Sequence, residues 1–353
     1  MKVTDIIKRK GLELGFSHIG ITTAEPFIEY AQELLRRPDY AIWADPDRSK
    51  YPGRTYLTET ATPKNYYPQG TSIICATLGY SQYLYPEELT RHVARAYLCR
   101  SYVPQPNDLA GIRVAEYKRF IKSLGIGMYE GECDLPQRAA CARAGIITYG
   151  KNNFAYTKED GSFNILFTFL VDTVLDYDEP TVRCDCPESC HKCIDACPSQ
   201  AIAAPGRLLP RNCAMNNHQL PLGAFPDDLW DKFSTSIHGC DICQLACPRN
   251  AAVLKRASRK DPFLETLKDE FDLEKVLFLD EDYYETAIRP IMYNYIRDMD
   301  LFRRNAAIAM GNSGNSAYIT PLEKALTVYK DKPELLKPIV WALGRLRGEE
   351  KSN

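Results

Sequence analysis

The sequence predicts a mixed α/β (α+β) chain in three consecutive parts, and three observations carry that reading. Strand-like apolar runs alternate with amphipathic helical stretches over residues 1–175. Cysteines then crowd residues 176–255. Residues 256–353 read as helix, with an internal echo. At 353 residues the chain has room for two or three domains. A formal net charge of −2 argues against a broad nucleic-acid coat and leaves room for a local basic patch.

The first part opens with "MKVTDIIKRKGLELGF", an amphipathic helix with Val3, Ile6, Ile7, Leu12 and Leu14 on one face. "TSIICATLGY" (71–80) predicts a buried strand. "IRVAEYKRFIKSLG" (112–125) predicts a helix with Val114, Tyr117, Phe120, Ile121 and Leu124 inward. "PQRAACARAG" (136–145) predicts another helix, stopped by Gly145. "SFNILFTFLVDTVL" (162–175) predicts a long strand. Residues 37–70, rich in Pro, Tyr and Asp, read as a long ordered loop of the kind that carries function. With no secretory segment, twin-arginine signal or long apolar span, the expected compartment is the cytoplasm, with no membrane partner. Disulfides are disfavoured there, so thirteen cysteines need another explanation.

Nine of them lie between Cys184 and Cys247. The first cluster runs Cys186-x3-Cys190-x2-Cys193-x3-Cys197-Pro198. The second runs Cys240-x2-Cys243-x3-Cys247-Pro248, with Cys213 upstream. The shared C-x2-C-x3-C-P ending is the bacterial ferredoxin signature for [4Fe–4S] clusters, in which the last cysteine ligates the other cluster. A two-residue gap lets one tight turn present two thiolates, and the x3 gap leads into a short helix whose first turn tolerates proline. The expected assignment is therefore crossed: Cys186, Cys190, Cys193 and Cys247 for one cluster, and Cys197, Cys213, Cys240 and Cys243 for the other. Cys184 competes with Cys186, which is favoured. Structural zinc also uses C-x2-C pairs, but two CP-terminated triplets fit it poorly. Cys75, Cys99, Cys133 and Cys141 read as small buried side chains. His191 and His238 read as solvated or backbone-bonded imidazoles near the clusters, or as donors that tune them.

In the last part "RRNAAIAMGN" (303–312) echoes "LKPIVWALGR" (336–345), aligning 309–311 with 342–344, a repeat of 33 residues. Two helix pairs of this type resemble HEAT repeats. Alone they cannot bury both faces, so they should dock on the rest of the chain.

Taken together, "RAACARAGIITYGKNN" (138–153), "GSFNILFTFLVDTVLDYD" (161–178), "CIDACPSQAI" (193–202), "GCDICQLACPRN" (239–250) and "LFRRNAAIAMGNSG" (301–314) resemble the epoxyqueuosine reductase family. These are cobalamin-dependent iron–sulfur enzymes of tRNA modification, related to reductive dehalogenases. The resemblance implies a cobalamin and substrate domain over 1–175, a two-cluster ferredoxin-like domain over 176–255 and HEAT-like repeats over 256–353. It implies base-off cobalamin beside one of two [4Fe–4S] clusters, contacted by Gly150, Lys151 and Asn152, with Arg95 and Tyr102 lining the pocket. It further implies a low-potential donor of the ferredoxin or flavodoxin type and tRNA as partners. Two stretches depart from the family. In "ARAYLCRSYV" (94–103), Ser101 and Val103 replace an acidic and an imidazole group. In "MYEGECDLPQR" (128–138), Asp134 is the counterpart of the proton donor, with Tyr129, Glu130 and Glu132 as competitors. A divergent substrate, in the manner of a dehalogenase or another small-molecule reductase, is the second expectation. A pure electron-transfer protein is the third.

Overall fold

The computed structural model describes residues 2–37, 57–102, 105–131, 135–181, 184–292 and 298–349. Asp134, Glu132, Cys133, Val103 and most of the 37–70 loop lie outside the described residues.

The N-terminal part is built on an antiparallel sheet. Helix α1 (Val3–Glu13) leads into β1 (His18–Thr23), and β2 (Ser72–Gly79) follows. After the short α2 (Arg95–Leu98) come α3 (Leu109–Ser123) and α4 (Gln137–Arg143). A two-stranded hairpin, β3 (Thr148–Tyr149) and β4 (Ala155–Tyr156), precedes the long β5 (Asn164–Val171). The sheet order is β1–β2–β5, so β2 is central, with Cys75 opposite Gly20 on one side and Thr168 on the other. Every residue of β2 is buried, which explains why its sequence does not alternate. Ile74, Ala76 and Leu78 face α1 and α3, against Ile7, Tyr117 and Ile121. Ile73 and Cys75 face α4, against Ala140, Cys141 and Ala144.

The predicted strands and helices are present, with two corrections. Helix α3 begins at Leu109, earlier than its apolar spacing suggested. Helix α1 buries Thr4, Ile7 and Gly11, while Val3 and Leu12 stay exposed. Gly11 sets that face: a Cβ there would meet Ile19 Cδ1 at 2.5 Å. An apolar count cannot register a glycine that packs by having no side chain. Helix α4 ends as predicted, with Gly145 at φ +75°.

The cysteine-rich segment contributes two single-turn helices, α5 (Lys192–Asp195) and α6 (Ile242–Leu245), and α7 (Pro248–Leu254). Pro248 opens α7, as the proline reading requires. Pro198 opens no helix; the chain instead turns through Gln200 at φ +52° into a short strand, Ile202–Ala204. The helical tail follows: α8 (Leu273–Leu277), α9 (Met299–Ser313), α10 (Ile319–Val328) and α11 (Pro333–Arg347). Its apolar core continues into the segment containing α2, where Leu89, Val93, Tyr97 and Leu98 share one cluster with Leu301, Phe302 and Ile339. The tail thus docks on earlier chain. Three helices fill the echoing region where two pairs were expected. Among the described residues no helix is long and apolar enough to cross a membrane.

The two echoing glycines have different surroundings. A Cβ on Gly311 would meet Ala342 Cα and the Trp341 ring, both at 2.8 Å, whereas on Gly344 it would meet nothing closer than 3.6 Å. Gly311→Ala should therefore destabilise the fold by about 1–3 kcal/mol through overpacking of α9 on α11. Gly344→Ala should be neutral or stabilising by up to ~1 kcal/mol through helix propensity. Denaturant unfolding of the two variants checks this, and equal effects would contradict it.

Candidate metal centre

Each cysteine motif is wound on one helical turn. Helix α5 carries Cys193 behind His191, and α6 carries Cys243 behind Asp241. The thiols sort into two groups by what bears on them. Burial raises the pKa of Cys193, and the neighbouring thiols of Cys247, Cys186 and Cys190 push it the same way. Burial lifts Cys240 to about 12, with Cys213, Asp241 and Cys197 adding to it. Cys243 is raised by burial and by Cys240, Cys213, Cys197 and then Cys193. Cys247 thus bears on Cys193 of the first motif, and Cys197 bears on Cys240 and Cys243 of the second. Cys184 is exposed and pairs through its backbone with Tyr149, whereas Cys186 reaches Cys193.

Backbone donors already point at the sulfurs. Ala201 N–H donates to Cys197 Sγ at 3.2 Å. The Met215 and Asn216 amides act on Cys213, and the Ile242 amide acts on Cys240. Such bonds stabilise thiolate charge. All described cysteines are free thiols. Among the described residues no three of the His, Cys, Asp and Glu side chains are drawn together closely enough to hold a metal ion, while free thiols with N–H donors are the ligand type that [4Fe–4S] clusters use.

A polar wall joins this module to the N-terminal sheet. The turn of the β3–β4 hairpin delivers Lys151, whose Nζ donates to the carbonyls of Pro187 (2.8 Å), Glu188 (2.6 Å) and Cys190 (3.0 Å). An ammonium has three N–H bonds, so all are engaged in holding the first cysteine loop. Asn152 Nδ2 donates to Tyr156 Oη at 3.0 Å and, more weakly, to the Cys243 carbonyl at 3.4 Å. Its Oδ1 accepts from Phe154 N–H. Gly150 is required by this packing, since a Cβ would meet Tyr156 at 2.4 Å. Behind the turn, Ser162 bonds Gln244 and Asn250. Tyr156 is held above the ordinary phenol range by burial and by the Cys247 thiol, so it stays protonated.

Arg95 and Tyr102 lie on the other side. The Arg95 guanidinium and backbone N–H both donate to Asp241 Oδ2 at 2.9 Å. Burial raises the Asp241 carboxyl and Arg95 opposes it. Tyr102 stacks near Tyr97, with ring centroids 4.9 Å apart, and lines a cavity of about 220 Å³ with Arg100, Phe263, Arg289 and Ile291. Of the five residues expected around a corrinoid, Tyr102 alone faces this cavity. Arg95, Lys151 and Asn152 have polar groups engaged with the cysteine module, and Gly150 packs on Tyr156. Among the competing proton donors, Glu130 pairs with Lys122 at the surface, and Tyr129 packs near Tyr66 and Tyr67.

The histidines are accounted for. His18 bonds Thr77 and Glu159, and His92 bonds the Thr235 carbonyl. His191 is exposed. His238, expected to be solvated or backbone-bonded, is instead fully buried between Tyr97 and Phe302. His218 lies buried against Phe225 and Phe233. Behind the second cysteine group, Arg304 of α9 is almost fully buried and donates to the carbonyls of Asn217, His218, Leu220 and Pro221. Burial lowers it to about 9. Asp241, Tyr156, Ser162 and Arg304 were not marked by the sequence reading. Only Asp241 carried a signal, its place between Cys240 and Cys243.

Comparison with known proteins follows this geometry. Residues 185–250 match a 4Fe-4S double cluster binding domain, and 302–327 match a PBS lyase HEAT-like repeat. The chain is 28% identical to the epoxyqueuosine reductase of Bacillus subtilis, over 92% of this chain and 91% of that one. It is 26% identical to the Staphylococcus aureus enzyme, over 96% and 87%. An epoxyqueuosine reductase structure from Bacillus subtilis superposes with a TM-score of 0.68 at 25% identity, covering 97% of this chain and 98% of that one. A structure of an epoxyqueuosine reductase with an epoxyqueuosine-modified tRNA-Tyr stem loop shares the fold, with a TM-score of 0.71 at 24% identity and coverage of 97% and 98%.

Two outcomes follow from the wall. Lys151→Met removes charge-assisted bonds of about 1.5–3 kcal/mol each, less where water replaces them. Amide hydrogen exchange should rise across residues 184–192 while β2 stays protected; unchanged exchange in the loop would contradict this. The second outcome concerns His218, which burial, His238 and Arg304 lower from 6.5 to about 3. The unfolded chain then binds a proton that the folded chain refuses, so stability falls as pH drops from 6.5 toward 3. His218→Phe should flatten that slope in pH-dependent unfolding, and a slope equal to wild type would count against it.

Proposed function

Because this chain belongs to the epoxyqueuosine reductase family, we propose that it is an iron–sulfur reductase that removes the epoxide oxygen of epoxyqueuosine in tRNA. The observation that carries the reading is the match of residues 185–250 to a 4Fe-4S double cluster binding domain, within which thiols of the two motifs bear on one another. In this reading Cys186, Cys190, Cys193 and Cys247 hold one cluster, and Cys197, Cys213, Cys240 and Cys243 hold the other. Opening the epoxide to an alkene consumes two electrons and two protons and releases the oxygen as water. Clusters deliver electrons one at a time, which suits a chain of two. The family implies cobalamin as the further cofactor, a low-valent cobalt centre being a strong reductant and nucleophile.

The chain's own groups have definable tasks. Lys151 fixes the loop of Cys190, and Arg95 fixes Asp241 beside Cys240. Asp134 remains the proposed proton donor: a carboxyl held neutral by burial can protonate a carbon or oxygen as charge builds there. A low-potential ferredoxin or flavodoxin would supply the electrons, and the HEAT-like helices offer a surface for the tRNA stem. The cytoplasm, where tRNA resides, is the expected compartment.

The test uses anaerobically reconstituted full-length protein. Eight irons per chain and an EPR signal of base-off cob(II)alamin are expected. With reductant, an epoxyqueuosine-bearing anticodon stem loop should lose one oxygen by mass spectrometry. Both clusters with an unchanged free-cobalamin signal would overturn the cobalamin-dependent reading. Base-off binding without turnover of the stem loop would overturn the substrate.

A further inference from the structure

We propose that the cavity of about 220 Å³ between α2 and the helical tail binds an organic cation, an amidinium or ammonium group carried on a flat apolar body. Asp108 is the anchor for the charge, and the rings of Tyr97 and Tyr102 are the wall for the body. The lining contains no cysteine, so the inference stands apart from the cluster assignment.

Three stretches distant in sequence build this cavity. Tyr97, Arg100, Tyr102 and Asp108 come from the chain running from α2 to the start of α3. Phe263 comes from the helix Pro262–Leu267. Glu285 and Arg289 come from a π-helical turn, Tyr284–Ile288, closed by Arg289 N–H on the Tyr284 carbonyl at 2.8 Å. Such turns are rare and collect at functional sites. A second irregularity lies on the same cavity. Arg100 has φ +52°, a left-handed backbone that a residue with a side chain keeps only where its surroundings hold it. Here Asp261 holds it. Arg100 Nε and Nη2 donate to the two Asp261 oxygens at 2.8 to 3.1 Å, and its guanidinium lies 4.8 Å over the Phe263 ring. Asp261 is fixed in turn by Phe263 N–H at 2.9 Å.

The sign of the ligand follows from which charges are committed. Arg100 is taken up by Asp261, and Arg289 donates to Glu285, four residues earlier on the same turn. An anion entering the cavity would have to displace a carboxylate. Asp108 is the opposite case. It stands at the N-cap position of α3, where an aspartate ordinarily accepts from the first helical amides, yet its side chain makes no such bond. The side chain's one partner among the described residues is Arg100 Nη1, at a long 3.4 Å. A carboxylate has about four acceptor positions, so most of the capacity of Asp108 is unused. With Asp261 behind Arg100, three carboxylates stand against two guanidiniums. Beside this excess negative charge lie Tyr97 and Tyr102, with ring centroids 4.9 Å apart. Gln219 donates to Tyr97 Oη at 2.7 Å and so holds that ring in place. An acceptor next to aromatic rings is the combination that holds organic cations.

Benzamidine, benzamide and benzoate share one flat shape and differ in charge, so they separate charge from fit. Calorimetric titration of the reconstituted full-length protein should show benzamidine binding, benzamide binding more weakly and benzoate not binding. Asp108→Asn keeps the shape and removes the charge. It should weaken benzamidine about tenfold, the loss expected of one charge-assisted hydrogen bond. No binding of benzamidine, benzoate binding as tightly as benzamidine, or an unchanged affinity in Asp108→Asn would each overturn the proposal. Should that variant fail to fold, Tyr102→Leu decides: it keeps the carboxylate, removes a ring and should weaken benzamidine severalfold, and an unchanged affinity would overturn the proposal. The readout is heat of binding, so a failed epoxide assay would count against the function proposed above and not against this site.

Discussion

The ammonium of Lys151 is the constraint on which the redox half of this protein depends. It is 7% exposed, and a buried charge is tolerated only when fully bonded. Three carbonyls of one cysteine loop supply those bonds. The loop has little apolar matter of its own with which to dock. The hairpin that carries Lys151 therefore does for the cysteines what a hydrophobic core does elsewhere. The same physics recurs behind the second group, where Arg304 gathers four carbonyls and Asn305 bonds His218 and Ile237. Two buried cations, one from the sheet domain and one from the helical tail, clamp opposite sides of the cysteine module.

That arrangement explains why the buried polar residues collect around the module. Lys151, Asn152, Ser162, Asn217, Gln244, Asn250, Arg304 and Asn305 are all nearly inaccessible. A buried amide costs free energy unless both of its ends are bonded, and here backbone groups bond many of them. The result is a wall with defined polarity.

The legible part of the sequence was the part with a period or a spacing. β2, β5 and α4 follow from apolar runs and a glycine stop, and the double-cluster segment follows from C-x2-C-x3-C-P. The hidden part consists of single residues whose role depends on a distant partner. Gly11 shaped the face of α1 through contact with Ile19, which no apolar pattern encodes. Lys151 and Asn152 were singled out by resemblance, but their partners lie 36 to 91 residues away, and only the fold reveals that they hold cysteine loops. His238 read as a solvated or backbone-bonded imidazole, or as a donor, by its position before Cys240; the docking of α2 and α9 buries it, which removes the solvated alternative. Spacing encodes local geometry, and it carries no information on which buried donor will meet which acceptor.

The division between wall and loop also bears on substrate. The cysteine-rich module is over-determined: changing one wall residue leaves a carbonyl, an amide or a charge unpaired in the interior, at about 1–3 kcal/mol each. Drift there is penalised by stability alone. The departures from the family fall elsewhere, at Ser101, at Val103 and in 128–138. Ser101 bonds locally, to the carbonyl and thiol of Cys99. A chain built this way can alter what it reduces while keeping how it delivers electrons.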